Sequence, residues 1–254
     1  TAPAILQSVA VASQMFDFGL SSLQQAIDEL TGLVETAAEL LSGDGLKNNY
    51  RTVLGDNENT MEITIYGDNK VGNTVKSEAH GSHVSGIIGA VRNNEAGMNG
   101  VANNVKIMAV RAVPDGDEYD KDVALAIRYA VDNGAKVLNT SFGKGYSPKK
   151  EWVWDAITYA ASKDVLIVNA AGNDGKNIDK ELTFPNDSKD LKTEISDNVI
   201  TIGAMSEYYN ENLAASFSNY GKINVDVFAP GVQIYSTTPE NEYQKFSGTS
   251  MAAP

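Results

Sequence analysis

The sequence predicts an α/β fold, a three-layer sandwich in which helices cover both faces of a parallel sheet, with an added N-terminal helical segment. From His80 onward, short apolar runs alternate with amphipathic helical patterns, which is typical of strand–helix–strand units with right-handed crossovers. The predicted strands are continuous apolar runs, as expected when both faces of a sheet are covered. The 254 residues are enough for one large domain with a substantial core.

The predicted elements of this core alternate along the chain. Amphipathic patterns predict helices at 80–91, 120–133 and 150–163. Apolar runs that would form strands lie at 105–113, 136–141, 165–170 and 199–204. A β-rich stretch at 215–236 completes the predicted sheet.

The N-terminal part of the chain has a different pattern. Apolar residues recur every three or four positions from Leu20 to Leu41, with a capping box before them and a glycine after them. We therefore divide the chain into a helical segment at 1–50 and a core at 51–254. A surface helix packed on the core is the favoured interpretation of this segment, and a partner-binding helix is the alternative.

The composition excludes several classes of function. There are no cysteines, so neither a disulfide framework nor a thiolate zinc site can form. The formal net charge of −13 disfavours nucleic acid and anionic membranes as partners, because binding to both depends on Lys and Arg. No apolar run reaches the roughly 18 residues that predict a membrane-spanning helix. We therefore expect no nucleic-acid partner and no membrane span.

Three short segments contain the reactive residue types. Ser250 lies among small residues at 248–254, where a hydroxyl is exposed with little steric bulk around it. His80 and His83 are the 2 histidines of the chain, and imidazole titrates near neutral pH as a general base must. Asn173 follows a predicted strand in a glycine-rich loop, which suits an amide that donates to an oxyanion. Each segment alone is a weak signal, because such residues are more often structural.

Together and in this order, the three segments resemble the subtilase family of serine proteases. HGSHVSGIIGA is similar to the family's histidine box, AAGNDG to its oxyanion segment and GTSMAAP to its serine box. NTSFG resembles the substrate-binding strand, and FSNYGKINVDVFAPGVQIYST resembles the region before the serine. The resemblance implies a fold of the subtilisin type, with His80 as the general base, Ser250 as the nucleophile and Asn173 in the oxyanion hole. It makes His83 a structural histidine.

The resemblance also implies the activity. The chain would be a serine endopeptidase that hydrolyses peptide bonds through a Ser-His-Asp triad and an acyl-enzyme. The residues implied to bind the polypeptide substrate are Ser141, Phe142, Gly143, Ala170 and Gly172. A run of acidic residues at 115–122 is expected to be a solvated surface, with a preference for basic substrates as the alternative. No cofactor or metal would take part in catalysis, but the loop at 92–100 is similar to the family's calcium loop and implies a structural calcium ion.

The sequence departs from the family at both ends. No strand ending in the family's aspartate motif precedes His80, and Asp17 is only a weak candidate for the third triad member. The family's serine begins a long apolar helix, whereas this sequence stops at Pro254. We therefore expect segment 1–50 to be the end of an insertion and the core to be incomplete at both ends.

These departures leave the activity of the chain by itself open. The aspartate is expected outside these residues, and a propeptide or complementary segments are expected as partners. The alternative function is that of an inactive subtilase-like fragment or pseudo-protease, which binds peptide without efficient cleavage. The resemblance implies a secreted or periplasmic location.

Overall fold

The computed structural model describes residues 54–62, 67–72, 78–113 and 118–254. The chain divides into two compact units, Thr1–Asn69 and Lys70–Pro254. The predicted N-terminal helix and Asp17 lie outside the described residues, so the division of the chain at residue 50 stays a prediction. All elements named below belong to the second unit.

The centre of the second unit is a four-stranded parallel sheet in which the strands lie in chain order. The strands are β1 Val137–Thr140, β2 Leu166–Ala170, β3 Val199–Met205 and β4 Val227–Pro230. Neighbouring strands pair in registers that begin at Val137–Leu166, Ile167–Val199 and Ile202–Val227. The carboxyl ends of all four strands therefore meet at one edge of the sheet, where loops can bring side chains together.

The second unit contains four described helices. They are α1 His80–Gly89, α2 Asp120–Asp132, α3 Lys150–Ser162 and the short α4 Thr249–Ala252. Helices α2 and α3 pack on each other, α3 contacts β2, and α4 contacts β2, β3 and β4. Ile127 of α2 and Ile157 of α3 are buried, and burial of each such side chain contributes about 1.5–3 kcal/mol. The predicted α/β class is confirmed. Among the described residues, every helix is too short or too polar to cross a membrane.

Two parts of the predicted sheet differ from the structure. The apolar run at 105–113 pairs with none of the described strands, and its residues Val105, Ile107, Met108 and Val110 are exposed. A strand needs a hydrogen-bonded neighbour as well as apolar side chains. From the stretch at 215–236, only β4 joins the parallel sheet. The segment after it forms β5 Ile234–Thr238, which pairs antiparallel with β6 Glu242–Phe246 in a separate hairpin.

The hairpin holds helix α1 in place. The Ser236 hydroxyl of β5 donates to the backbone carbonyl of His83 at 2.7 Å, and the Thr237 hydroxyl donates to that of Ser82 at 2.9 Å. Val84 of α1 also shares a hydrophobic cluster with Met251 of α4. The helix that carries His80 and the helix that carries Ser250 are therefore joined through one part of the core.

Candidate active site

The Ser250 hydroxyl lies against the carboxyl end of strand β1. Ser250 is half-buried in helix α4, and its Oγ donates to the backbone carbonyl of Ser141 at 3.2 Å. In return, the Ser141 hydroxyl donates to the Ser250 carbonyl at 2.9 Å. These two hydrogen bonds fix the serine segment to the residue that directly follows β1.

Asn173 is held by its side-chain oxygen. The backbone N–H of Thr249 donates to Asn173 Oδ1 at 2.8 Å, and the Thr249 hydroxyl donates to the same oxygen at 2.9 Å. Because a backbone N–H can only donate, the atom that faces it must be the oxygen of the amide. The NH2 end of Asn173 is exposed and donates to none of the described residues. Asn173 therefore presents a fixed donor.

This donor lies beside the turn that presents Ser250. A Cβ placed on Gly248 would be 3.5 Å from Asn173 Nδ2, so the NH2 group is close to the backbone just before the serine helix. The Thr249 hydroxyl also accepts a hydrogen bond from the Gly172 N–H at 3.1 Å. The structure thus brings Ser250 and Asn173 to one edge of the sheet, with a free amide donor beside the serine segment.

The two histidines have different surroundings. His80 is the first residue of α1 and is exposed, although nearby protein atoms lower the pKa of its imidazole from 6.5 by desolvation. Among the described residues, no hydrogen bond joins His80 with Ser250, whose hydroxyl is bonded to Ser141. His83 is fully buried, stacks on Phe246 with ring centroids 4.3 Å apart, and forms a 3.1 Å hydrogen bond from Nε2 to the Gln244 carbonyl.

These contacts give His83 the surroundings of a structural histidine. An accepting carbonyl requires the proton on Nε2, and the buried Nδ1 has no hydrogen-bond partner. Desolvation lowers the pKa of His83 as well, which favours the neutral ring. His83 is therefore fixed on the hairpin, and His80 is the histidine with a free ring at the surface.

The residues predicted to bind substrate lie at the ends of β1 and β2. Ser141, Phe142 and Gly143 directly follow β1, and Gly172 has a φ of +100°, a conformation that glycine adopts readily. Ala170 is the last residue of β2 and is only 9% exposed, in a core cluster with Ala252 and Ala253. In this structure its methyl group supports the serine helix from inside the core.

An acidic side chain accepts a hydrogen bond from the backbone of the predicted substrate strand. The Gly143 N–H donates to Glu118 Oε1 at 3.1 Å. Burial raises the pKa of the Glu118 carboxyl above 4.5, while the Gly143 N–H and nearby Lys144 act in the opposite direction. Lys144 also pairs with buried Asp120 at 2.7 Å. Two members of the acidic run at 115–122 are thus engaged in contacts with the protein rather than forming a solvated surface.

Sequence reasoning missed the residues that position Asn173. Thr249 belongs to the GTSMAAP motif, but it forms its hydrogen bonds with Asn173, which lies 76 positions earlier in the sequence. Asn219 belongs to the FSNYG segment and is fully buried against the loop that carries Asn173. Both residues stand in motifs that were recognised, but their roles depend on contacts between distant parts of the chain.

The loop at 92–100, predicted to bind calcium, is closed by its own side chains. Asn99 Oδ1 accepts from the Asn93 N–H at 2.8 Å, and Asn94 Oδ1 accepts from the Ala96 N–H at 3.2 Å. Within the described part of the chain, no group of three or more histidine or acidic side chains is placed to hold a metal ion. Since these Asn oxygens already stabilise turns of the loop, a calcium site here stays a prediction from the resemblance.

Comparison with known proteins identifies relatives by sequence. A family model with the description Subtilase family matches residues 20–254. The chain is 44% identical over 176 residues to the thermophilic serine proteinase of Bacillus sp. (strain AK1), a match that covers 69% of this chain and 40% of that protein. It is 39% identical over 176 residues to thermitase of Thermoactinomyces vulgaris, which covers 69% of this chain and 57% of thermitase. The chain thus spans less than two thirds of these curated relatives.

Solved structures are similar as well. A cold adapted subtilisin-like serine proteinase matches with a TM-score of 0.56 and 32% identity, over 69% of this chain and 57% of that protein. A protein titled S41 Psychrophilic Protease matches with a TM-score of 0.63 and 30% identity, over 76% and 64% of the two chains. This likeness confirms the fold type that the sequence motifs predicted.

Proposed function

The chain belongs to the subtilase family, and from this membership together with the site geometry we propose that it is a serine endopeptidase whose nucleophile is Ser250. The observation that carries the proposal is the fixed Asn173 amide, whose oxygen is bound by Thr249 and whose NH2 end is free beside the serine segment. A protein that only bound peptides would not need a polarising donor next to a serine hydroxyl. Polypeptides are the proposed substrates.

The proposed reaction begins when the Ser250 hydroxyl leaves the Ser141 carbonyl. His80 takes the hydroxyl proton while Oγ attacks the carbonyl carbon of the scissile peptide bond. The carbonyl oxygen becomes an oxyanion, which accepts hydrogen bonds from Asn173 Nδ2 and, as the family resemblance implies, from the Ser250 N–H. His80 then gives its proton to the leaving amine as the C–N bond breaks, and a water molecule hydrolyses the acyl-enzyme by the same steps.

The electrostatics of His80 support its role as the base. Desolvation lowers the pKa of its imidazole below 6.5, so the neutral form that can accept a proton predominates at neutral pH. A neighbouring carboxylate would act in the opposite direction, since it stabilises the imidazolium that forms during the reaction. The triad aspartate stays a prediction, and its weak candidate Asp17 lies outside the described residues.

A labelling experiment tests the proposed function directly. A fluorophosphonate probe is expected to label the full-length protein at Ser250, because the probe reacts with a serine that a general base has activated. Labelling is followed by gel fluorescence, and the labelled peptide is identified by mass spectrometry. Ser250→Ala should abolish the signal, whereas Ser147→Ala, which changes a serine bonded to Asp120, should retain it. A well-folded protein that is not labelled would contradict the peptidase function and favour peptide binding without cleavage.

We propose that an extended substrate pairs with the backbone of Ser141 and Gly143 as an added strand. Glu118 then competes with the substrate, because its carboxylate occupies the Gly143 N–H. Glu118→Ala is expected to lower the KM of a peptide that reaches Gly143 by about fivefold, which corresponds to one competing hydrogen bond of roughly 1 kcal/mol. Steady-state kinetics with long and short peptides measure this effect.

Two controls separate this competition from a change in charge. Glu118→Gln removes the charge but keeps an oxygen that can accept from Gly143, so its KM should lie nearer to that of the unchanged protein. A peptide too short to reach Gly143 should have the same KM for the unchanged protein and for Glu118→Ala. An equal gain for the short peptide would show that Glu118 acts through its charge alone.

The location of the protein is also a proposal. A relative 39% identical over 236 residues is the cell wall-associated protease of Bacillus subtilis (strain 168), a name that indicates a place outside the membrane for that protein. We propose a location outside the cell membrane for this chain, on the basis of that relative and of the family resemblance. Fractionation of cells and culture medium tests it.

A further inference from the structure

A buried asparagine lies behind the loop that carries Asn173. The side chain of Asn219 is 0% exposed. Its Oδ1 accepts hydrogen bonds from the backbone N–H of Asp174 at 3.1 Å and of Lys176 at 2.9 Å. Its Nδ2 donates to the Ala171 carbonyl at 2.8 Å. The Asn219 amide therefore binds the loop backbone on both sides of Asn173.

The backbone around Asn219 binds the same loop. The Asn219 N–H donates to the Gly172 carbonyl at 2.8 Å, and the Gly175 N–H donates to the Phe217 carbonyl at 2.8 Å. Two backbone N–H groups face one end of the Asn219 amide and a carbonyl faces the other, so its orientation follows from donor and acceptor chemistry. The three hydrogen bonds that the structure gives this buried side chain all go to the loop at 171–176.

The loop has little rigidity of its own. Gly172 and Gly175 have φ values of +100° and +64°, and glycine gives the backbone on both sides of Asn173 a wide choice of conformations. A Cβ on Gly172 would lie 2.4 Å from Asn219 Nδ2, so glycine at this position allows the close approach of Asn219. The loop is thus shaped around the Asn219 side chain.

We propose that Asn219 is a positioning residue of the oxyanion hole, which fixes the backbone of the loop at 171–176 so that Asn173 Nδ2 points at the reacting carbonyl. Thr249 binds the Asn173 side chain, and Asn219 binds the backbone that carries it. The position of the donor matters because it stabilises charge that develops only in the transition state. The inference rests on the proposed peptidase function of Ser250 and Asn173.

A double-mutant cycle in the full-length protein tests this role. Asn219→Ala is expected to lower kcat for a peptide substrate by about 10- to 100-fold, with KM changed less than about twofold, because the interaction acts in the transition state. In an Asn173→Ala background, the same change should lower kcat by less than about threefold, since the donor that Asn219 positions is already gone. A residue that only stabilised the fold would act equally in both backgrounds.

A second buried asparagine provides the matched control. Asn198 is 9% exposed and donates to the Val165 carbonyl at 2.9 Å, but it precedes β3 and so lies at the opposite edge of the sheet from the loop. Asn198→Ala should lower the melting temperature and leave kcat within about twofold. If Asn219→Ala does not fold, Asn219→Asp keeps the acceptor for Asp174 and Lys176, loses the donor to Ala171, and is used in the same cycle.

The outcomes separate the inference from the proposed function. An unchanged kcat in Asn219→Ala, or an equal loss with and without Asn173, overturns the positioning role. The peptidase function would stand in that case, because the unchanged protein would still hydrolyse peptide and Ser250→Ala would not. Absence of Ser250-dependent hydrolysis in the unchanged protein overturns both.

Discussion

Replacing Asn173 with alanine is expected to lower kcat for peptide hydrolysis by about 10²–10³-fold, which is the known cost of losing this donor in subtilisin. The change removes the NH2 group that is free beside the serine segment. Because this group acts on the oxyanion rather than on the bound substrate, KM should change little. Steady-state kinetics, with the active fraction counted by fluorophosphonate labelling, measure the effect.

Asn177 provides a control in the same part of the chain. Its Oδ1 accepts from the Asp179 N–H at 3.0 Å, a hydrogen bond within a turn rather than one to the serine segment. Asn177→Ala should keep kcat within about twofold. Asn173→Ala also removes the acceptor for Thr249 and should lower the free energy of unfolding by about 1 kcal/mol. If both variants lose kcat equally, or if neither does, Asn173 is not an oxyanion donor.

The fold was predictable where hydrophobic pattern and local geometry agree. The strand at 165–170 and the helix at 150–163 were predicted within one residue, because an apolar run and a helical period each have a single interpretation there. The run at 105–113 has the same apolar character, yet it forms no strand among the described residues. Pairing depends on a neighbour from elsewhere in the chain, and a pattern within one segment does not contain that neighbour.

The hairpin of β5 and β6 shows a second limit of local patterns. The sequence at 215–236 has strand character throughout, but only Val227–Pro230 enters the parallel sheet. Which sheet a strand joins depends on the course of the chain between strands. Here Ser236 and Thr237 bind the carbonyls of helix α1, so β5 is placed by a helix more than 100 residues away in sequence.

The residues of the candidate site that stand in short sequence motifs could be named from the sequence. Ser250, His80 and Asn173 stand in segments whose residue types suit one reaction, and the resemblance gave each a role. The supporting residues were not predictable in this way. Asn219 has the same side chain as any asparagine in a turn, and only its burial and its hydrogen bonds to the loop at 171–176 distinguish it. The hydrogen bond between Glu118 and the Gly143 N–H likewise joins residues 25 positions apart, and it is visible only in the folded structure.

The second large effect is expected at Gly86, where helix α1 crosses strand β5. A Cβ at this position would lie 2.2 Å from Thr237 Oγ1 and 2.4 Å from Ser236 Oγ, the two hydroxyls that bind the helix. Gly86→Ala is therefore expected to lower the free energy of unfolding by about 3 kcal/mol, from overpacking and displaced hydrogen bonds. For a domain of this size, that is a fall of about 6–12 °C in melting temperature, measured by calorimetry.

Gly81 provides the matched control in the same helix. Among the described residues, no atom would lie within 4 Å of a Cβ at Gly81, so Gly81→Ala should gain about 0.5–1 kcal/mol from the lower flexibility of the unfolded chain. Two identical substitutions five positions apart are thus expected to act in opposite directions. Equal effects would mean that α1 does not cross β5 at Gly86. Because His80 begins this helix, the displacement of α1 forced by Gly86→Ala should also lower kcat. A loss of stability without a change in kcat would show that the hairpin supports the fold but does not position the base.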